Sequence, residues 1–315
     1  MTVDYKHDNL VRAAWLYYVL GKNQSEIATI LGVSRPSVQR MIASANDKGL
    51  VSVDIKHPVS VCLEYELLIS KKYDLSLCRI VPYAKDSKSD HESLVSYGAS
   101  QVISRYIKQE KSLNIGIGSG LTLKRSINYL DKLNQPQHKC IALISQMNFE
   151  GLCNYYDDVP LLFADKIKAG YYQLPAPFYS KNAENHKMWC NTDLYQELAV
   201  KASNADVIFI GIGSIGDSSP IVSNGFITNN ESEALQKKGA VGEILGRFFD
   251  CHGKVIKHAI NERVTSYDLR KSKKAKIIGI ASGEDKQAAI LASLEGKWIN
   301  GLVTDEQTAR WLLTQ

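Results

Sequence analysis

Four stretches of this chain carry backbone or side chains suited to holding a small anionic, hydroxyl-rich molecule. The first is Gly116-Ile117-Gly118-Ser119-Gly120-Leu121-Thr122, where a strand-like run gives way to a helical pattern carrying Leu123 and Ile127. Glycines allow a sharp turn there, and the unpaired N–H groups at a helix start attract an anion such as phosphate. The spacing is not the G-x-G-x-x-G dinucleotide fingerprint, and a plain tight turn accounts for the same residues. The second is Ser282-Gly283-Glu284-Asp285-Lys286, again between a strand-like run and a helical pattern over 287–294. Lys286 offers a point charge to a phosphate, or is an ordinary solvated lysine. Gly213-Ser214 makes a similar mouth after DVIFIGIG. The fourth, KGAVGEILGRFFDCHG (238–253), places Glu243 and Arg247 at i, i+4 on a helical turn. They form a surface ion pair worth about 0.2–0.5 kcal/mol, or Glu243 accepts hydrogen bonds from ligand hydroxyls.

A different chemistry is written in the first sixty residues. Leu10, Ala13, Tyr17 and Leu20 recur at helical spacing and Gly21 follows them. Asn23 then caps a second helix, with Glu26 completing a capping box, Ile27, Ala28 and Leu31 facing inward and Gly32 closing it. Ser34 caps a third helix and Pro36 sits in its first turn, where the missing N–H costs nothing. Val38, Met41, Ile42 and Ala45 line its inner side. Arg35, Ser37, Gln39, Arg40 and Ser44 point outward, hydrogen-bonding groups at the end of a helix that enters a major groove in helix-turn-helix proteins. Of these, Ser34, Arg35, Ser37, Gln39 and Arg40 are the candidate DNA contacts. The alternation Val51-Ser52-Val53-Asp54-Ile55 reads as a wing strand.

The elements that position the four ligand-like stretches alternate in type. NIGIG (114–118), CIALIS (140–145), DVIFIGIG (206–213), KIIGIAS (276–282) and GLVTD (301–305) are strand-length apolar runs separated by helical patterns. Such runs indicate a mainly parallel sheet covered on both faces, whose ligands sit beyond the carboxyl ends of the strands. CLEYELLISKKYDLSLCRIVP reads as a helix then a strand, with Leu63, Leu67 and Leu68 as the apolar side; it joins the domains and helps pair subunits. The expected organisation is a winged helix-turn-helix domain over 1–57 and a Rossmann-like α/β effector-binding and oligomerisation domain over 58–315.

Composition agrees with this. At 315 residues, 44% hydrophobic and 23% charged, the chain suits two folded domains without disordered bias. A net charge of +5 permits nucleic-acid binding without demanding it. Six cysteines lack C-x-x-C or zinc-ligand spacing, so reduced, mostly buried thiols and no metal are expected. There is no signal-like start and no apolar run of about 18 residues, so a cytoplasmic protein is expected, with no membrane partner.

The stretch RAAWLYYVLGKNQSEIATILGVSRPSVQRMIASANDKGLVSVDI resembles the N-terminus of the SorC family of bacterial sugar-binding regulators. The likeness continues through CLEYE, LPAPF, ADVIFIGIGS, KGAVGEILGRFFD and ASGEDKQAAILASLEGKWINGLVTDEQTARWLL. It implies that the helix over Ser34 to Ala45 enters the major groove, and that the large domain resembles sugar-phosphate isomerases. It also implies that Gly116, Gly118, Ser119, Gly120 and Thr122 hold an effector's phosphate, with Lys286 as the lysine of the terminal glycine-rich loop. Two departures bear on the effector: Glu243 stands where the family commonly has aspartate, and Asn148 stands where some relatives carry a lysine that bonds an aldehyde sugar. Asparagine cannot form a Schiff base, so binding is expected to be noncovalent. The opening and CLEYE look like those of members serving polyol pathways and of members sensing phospho-autoinducer-2.

The expected protein is therefore a cofactor-free regulator, a repressor, binding operator DNA as a homodimer or homotetramer and answering to a phosphorylated sugar or polyol. The competing reading is a sugar-phosphate isomerase-like enzyme with Glu243 as base and Lys286 as electrophile. A scaffold that uses the helix-turn-helix for protein contact alone is a third.

Overall fold

The structure is a computed structural model and describes residues 5–51, 60–83, 88–153, 158–216, 219–272 and 274–315. The chain divides into two compact units, Met1–Pro58 and Val59–Gln315.

The first unit holds α1 (Tyr5–Tyr18), α2 (Gln24–Leu31) and α3 (Arg35–Asp47). Its core is Leu10, Ala13, Ala14, Ile27, Val38, Ile42 and Ala45. Tyr17 and Leu20, expected on the inner side of the first helix, are exposed: α1 stops at Tyr18 and Gly21, at φ 63°, turns the chain out of the helical period. The capping box of α2 is present, Asn23 accepting from Ser25 N and Glu26 N while Glu26 accepts from Asn23 N. Gly32 closes α2 in the left-handed conformation at φ 66°. The wing strand expected from Val51 lies outside the described residues except for Val51 itself.

The second unit runs α4 (Ser60–Tyr73), β1 (Leu77–Val81), α5 (Lys88–Ile107), β2 (Asn114–Ile117), α6 (Leu121–Asn128), β3 (Lys139–Ala142), α7 (Val159–Ile167) and β4 (Gly170–Tyr172). It continues with α8 (Ala183–Cys190), α9 (Asp193–Ser203), β5 (Val207–Gly211), β6 (Gly213–Ser214), α10 (Pro220–Ser223) and α11 (Asn229–Lys237). β7 (Gly242–Ile244), β8 (Arg247–Phe249), α12 (Ala259–Arg263), β9 (Lys276–Ile280), α13 (Gln287–Glu295), β10 (Gly301–Asp305) and α14 (Glu306–Thr314) complete it.

Seven strands form one parallel sheet in the order β1-β10-β9-β5-β2-β3-β4. Every strand-length run singled out in the sequence contributes a strand to it. Strand β5 shows why the runs are continuously apolar: Val207 and Phe209 join one buried cluster with α5, α6 and α7, while Ile208 and Ile210 join the cluster on the other face. A sheet buried on both sides requires apolar residues at successive positions. The fold is a mixed α/β one of the doubly wound kind. From β2 the chain steps outward through β3 and β4, then returns to β5 on the other side of β2, so the strand order reverses between β2 and β5.

In α4 the leucines read as the apolar side are not the residues that pack inside this unit. Cys62, Ile69 and Tyr73 are buried, with Tyr65 packed against the same cluster, whereas Leu63, Leu67 and Leu68 are exposed. The cysteines are less buried than expected: Cys62 and Cys140 are buried, Cys78 and Cys190 half-buried, Cys153 and Cys251 exposed, and all six are free thiols.

The segment around Glu243 is not helical. β6, β7 and β8 form a small antiparallel sheet, and Ile244 pairs with Arg247 across a two-residue turn. Leu245 (φ 50°) and Gly246 (φ 75°) both take positive φ, as such a turn requires. The i, i+4 ion pair therefore does not exist. Arg247 turns inward and donates to Ser266 Oγ (2.7 Å), Ser266 O (2.6 Å) and Tyr267 O (3.2 Å), tying the hairpin to the segment that follows α12.

Candidate effector site and nucleic-acid face

A cavity of about 320 Å³ opens beyond the carboxyl ends of β2, β3, β5 and β9, at the reversal of strand order. Ligands in open α/β sheets gather there because loops leaving adjacent strands diverge.

The loop after β2 supplies Ser119 and Gly120, the first turn of α6 supplies Thr122, and the end of β5 with β6 supplies Gly211, Gly213 and Ser214. The first and last of these segments touch backbone to backbone: Gly211 N donates to Ser119 O at 3.0 Å, and a Cβ on Gly211 would stand 2.6 Å from that oxygen. Gly120 adopts φ 132°, and a Cβ there would approach Gly211 Cα at 3.2 Å. α6 starts directly after Gly120, with no side chain capping its first N–H groups. Those donors lie at the cavity, which Lys124, one turn along, and Lys286 also line. Leu123 and Ile127 anchor α6 in the core, as the sequence implied.

Gly116 and Gly118 are not among the lining residues. Their missing side chains make room instead: a Cβ on Gly116 would lie 2.8 Å from Ile208 Cγ1, and one on Gly118 2.8 Å from Leu245 Cδ2.

Lys286 ends a short 3-10 turn, Glu284–Lys286, before α13. The loop is pinned from below. Asp305, fully buried at the end of β10, accepts from Gly283 N (3.1 Å) and from Thr308 N (2.6 Å), so one carboxylate tethers the loop and caps α14.

Glu243 lies half-buried in the cavity lining, and its Oε2 accepts from Gly246 N at 2.7 Å. Burial raises its carboxyl above the ordinary value; the Gly246 hydrogen bond and the Lys286 ammonium oppose this without cancelling it. Tyr179 braces the turn by donating to Gly246 O at 2.7 Å.

Several lining residues carried no distinguishing signal in the sequence. Phe178, from LPAPF, meets Phe226 edge-on with ring centroids 4.8 Å apart, giving an apolar wall. Gln146, Ser219 and Asn224 add polar groups, and the buried Ser219 Oγ has no hydrogen-bond partner among the described residues. Asn148 folds its own loop, accepting from Glu150 N and Leu152 N, and is not a lining residue.

In the first unit, Arg35, Gln39 and Arg40 are exposed on α3, and Ser37 is half-buried. Ser34 occupies the N-cap position, but its hydroxyl pairs with that of Ser37 at 2.9 Å and caps no backbone N–H.

Comparison with known proteins bears on the family and the fold. The sequence profile of the Sugar-bind family, a sugar-binding domain, matches residues 57–314. The chain is 30% identical over 314 residues to the transcriptional regulator LsrR of Escherichia coli K12, covering 98% of this chain and 95% of that protein. The chain belongs to the SorC family of sugar-binding transcriptional regulators. The erythritol catabolism regulatory protein EryD of Brucella abortus is 29% identical over 305 residues, 97% of this chain and 96% of that one. The full-length sorbitol operon regulator SorC from Klebsiella pneumoniae superposes with a TM-score of 0.75 at 24% identity, covering 99% of this chain and 100% of that chain. A DeoR family regulator from Listeria monocytogenes gives 0.70 at 21% identity over 79% of this chain and 98% of that one. These two likenesses concern the fold. The LsrR and EryD matches each span nearly the whole chain, both units included.

Proposed function

We propose that this chain is a cytoplasmic transcriptional repressor that reads operator DNA with the helix-turn-helix formed by α2 and α3, and loosens its hold when a phosphorylated sugar or polyol enters the cavity. The proposed division is DNA binding in residues 1–57 and effector binding with self-association in 58–315. The observation that carries the reading is the polarity of the cavity. Its lining brings the open N–H groups at the start of α6, Lys124 and Lys286 together with one carboxyl, that of Glu243. A phosphate suits the N–H groups and lysines, ligand hydroxyls suit the carboxyl, and the Phe178–Phe226 wall covers a carbon skeleton. Ser119, Gly120 and Thr122 hold the phosphate, with Gly116 and Gly118 shaping the strand that leads to them. Ser34, Arg35, Ser37, Gln39 and Arg40 contact DNA. The names of the relatives support regulation: one is an erythritol catabolism regulator, another a sorbitol operon regulator.

Such an effector acts only if it binds the two states of the protein unequally. The test is binding to the protein's own upstream DNA at two salt concentrations, with and without a panel of phosphorylated sugars and polyols. An effector-dependent change in affinity supports the reading; salt-independent or effector-blind binding overturns it.

One observation favours an isomerase-like enzyme: Glu243, raised by burial, faces Lys286. Against it, no second carboxylate lines the cavity among the described residues to share the acid-base work with Glu243. Turnover of any sugar phosphate in the panel by the purified protein would favour the enzyme.

A further inference from the structure

Helix α4 packs beside β1, the edge strand of the large sheet, and fastens itself there with Glu66, whose Oε1 accepts from Ile80 N at 2.9 Å and lies 3.6 Å from Arg79 Nη1. Cys62, Ile69 and Tyr73 complete the inner contact. The outer face is therefore not needed for the fold, yet it carries Val61 (43% exposed), Leu63 (50%), Leu67 (74%) and Leu68 (45%). Four large apolar side chains on the outside of one helix are an unusual load for a surface that stays in water.

Two charged residues share that face, Glu64 and Lys71, both exposed. They stand seven residues apart, two helical turns or about 10.5 Å, on either side of the Leu67-Leu68 pair. We propose that the outer face of α4 is where two copies of this chain pair, their helices antiparallel about a two-fold axis between Leu67 and Leu68. In that arrangement Glu64 of each copy meets the partner's Lys71, and Leu67 meets the partner's Leu68. A parallel pairing would set like charges opposite each other. A two-fold interface uses the same patch on both sides, so it must be self-complementary, and opposite charges placed symmetrically about an apolar centre have that property. The leucines supply the attraction and the charges set direction and register. The inference deepens the self-association placed in residues 58–315 above.

Sedimentation velocity on the full chain without DNA tests it, using Glu64→Lys and Lys71→Glu. Wild type is expected to sediment at twice 35.0 kDa or a higher multiple. Each single variant, which sets two like-charge contacts against each other, is expected to halve the particle mass at the same concentration, with at least a tenfold weaker dimerisation constant. An equimolar mixture of the two variants is expected to recover the wild-type mass, because a face carrying two lysines then meets a face carrying two glutamates at both contacts; the double variant should recover it alone. Unchanged thermal midpoints show that the variants fold. A monomeric wild type, single variants that keep the wild-type mass, or a mixture without recovery each overturn the proposal. Single variants that keep the wild-type mass mark the face as a seat for another protein. Since mass is read without DNA, loss of pairing and loss of operator binding are separate results.

Discussion

The Glu243 carboxylate lies against Gly213, in the space that a side chain at that position would occupy. The two are register partners in the β6–β7 ladder, so the absence of a side chain on one strand gives the carboxylate of the next its place in the cavity wall. Gly242 beside it works similarly: a Cβ there would stand 2.8 Å from Gly213 O and closer still to Ala289, so it admits α13, the helix that follows Lys286. Glu243 and Lys286 are thus both positioned by glycines.

Replacing Gly213 by alanine is expected to push Glu243 out of place and weaken effector binding at least tenfold, about 1.4 kcal/mol, while operator binding in the absence of effector is unchanged. Calorimetric titration with the phosphorylated ligand that scores best in the panel reads the first and a gel-shift assay the second. Full effector affinity in the variant would remove Glu243 from the site.

The raised Glu243 carboxyl makes a signed prediction for pH. Below its ordinary value of 4.5 it is protonated in folded and unfolded chains alike. As pH rises above that, the unfolded chain releases its proton first, so the stability this group contributes is lost progressively through the folded-state value. Glu243→Gln stays neutral and escapes the loss. The thermal midpoint of the variant should therefore gain on wild type as pH rises from 4.5 towards neutrality and level off once the wild-type carboxyl is ionised. Parallel curves would show that the carboxyl is not held above its ordinary value.

Asp305→Ala removes the N-cap of α14 and the tether on Gly283 together. A lost cap costs about 0.5–2 kcal/mol, and the Gly283 N–H is left without its carboxylate acceptor. Chemical denaturation should read a loss of at least about 1 kcal/mol, accompanied by weaker effector binding as the loop bearing Lys286 loosens. Loss of stability with unchanged effector affinity would separate Lys286 from the site.

Arg35→Ala and Arg40→Ala should leave the thermal midpoint nearly unchanged, both side chains being exposed. A base contact of the bidentate kind is worth about 1–3 kcal/mol, so operator affinity should fall roughly ten- to a hundredfold for each residue that makes one. Unaltered operator affinity in the folded double variant would sink the assignment of α3 to the major groove.

Local chemistry was enough for much of this protein. The Asn23–Glu26 capping box, the Gly32 stop, the buried strand runs and the turn from Gly118 into α6 are decided by residues within a few positions of one another, where steric and hydrogen-bonding rules act directly. The same rules placed Ser119, Gly120 and Thr122 at a helix start and Lys286 after a strand, and these do line one cavity.

What the sequence alone left to the tertiary structure turns on contacts between distant segments. Helical spacing in KGAVGEILGRFF suggested a Glu243–Arg247 pair, but the positive-φ turn at Leu245-Gly246 is held by Tyr179, more than sixty positions away, and by the pull of Ser266 on Arg247. On α4, leucine content named one face while burial chose the other, because β1 and α14 already present a surface shaped for Cys62, Ile69 and Tyr73. Phe178, Ser219 and Phe226 join the site only when the chain brings their segments to the sheet's reversal point. Spacing along a chain records which side chains share a face; which face is covered is set by the free energy of packing against elements that spacing does not see.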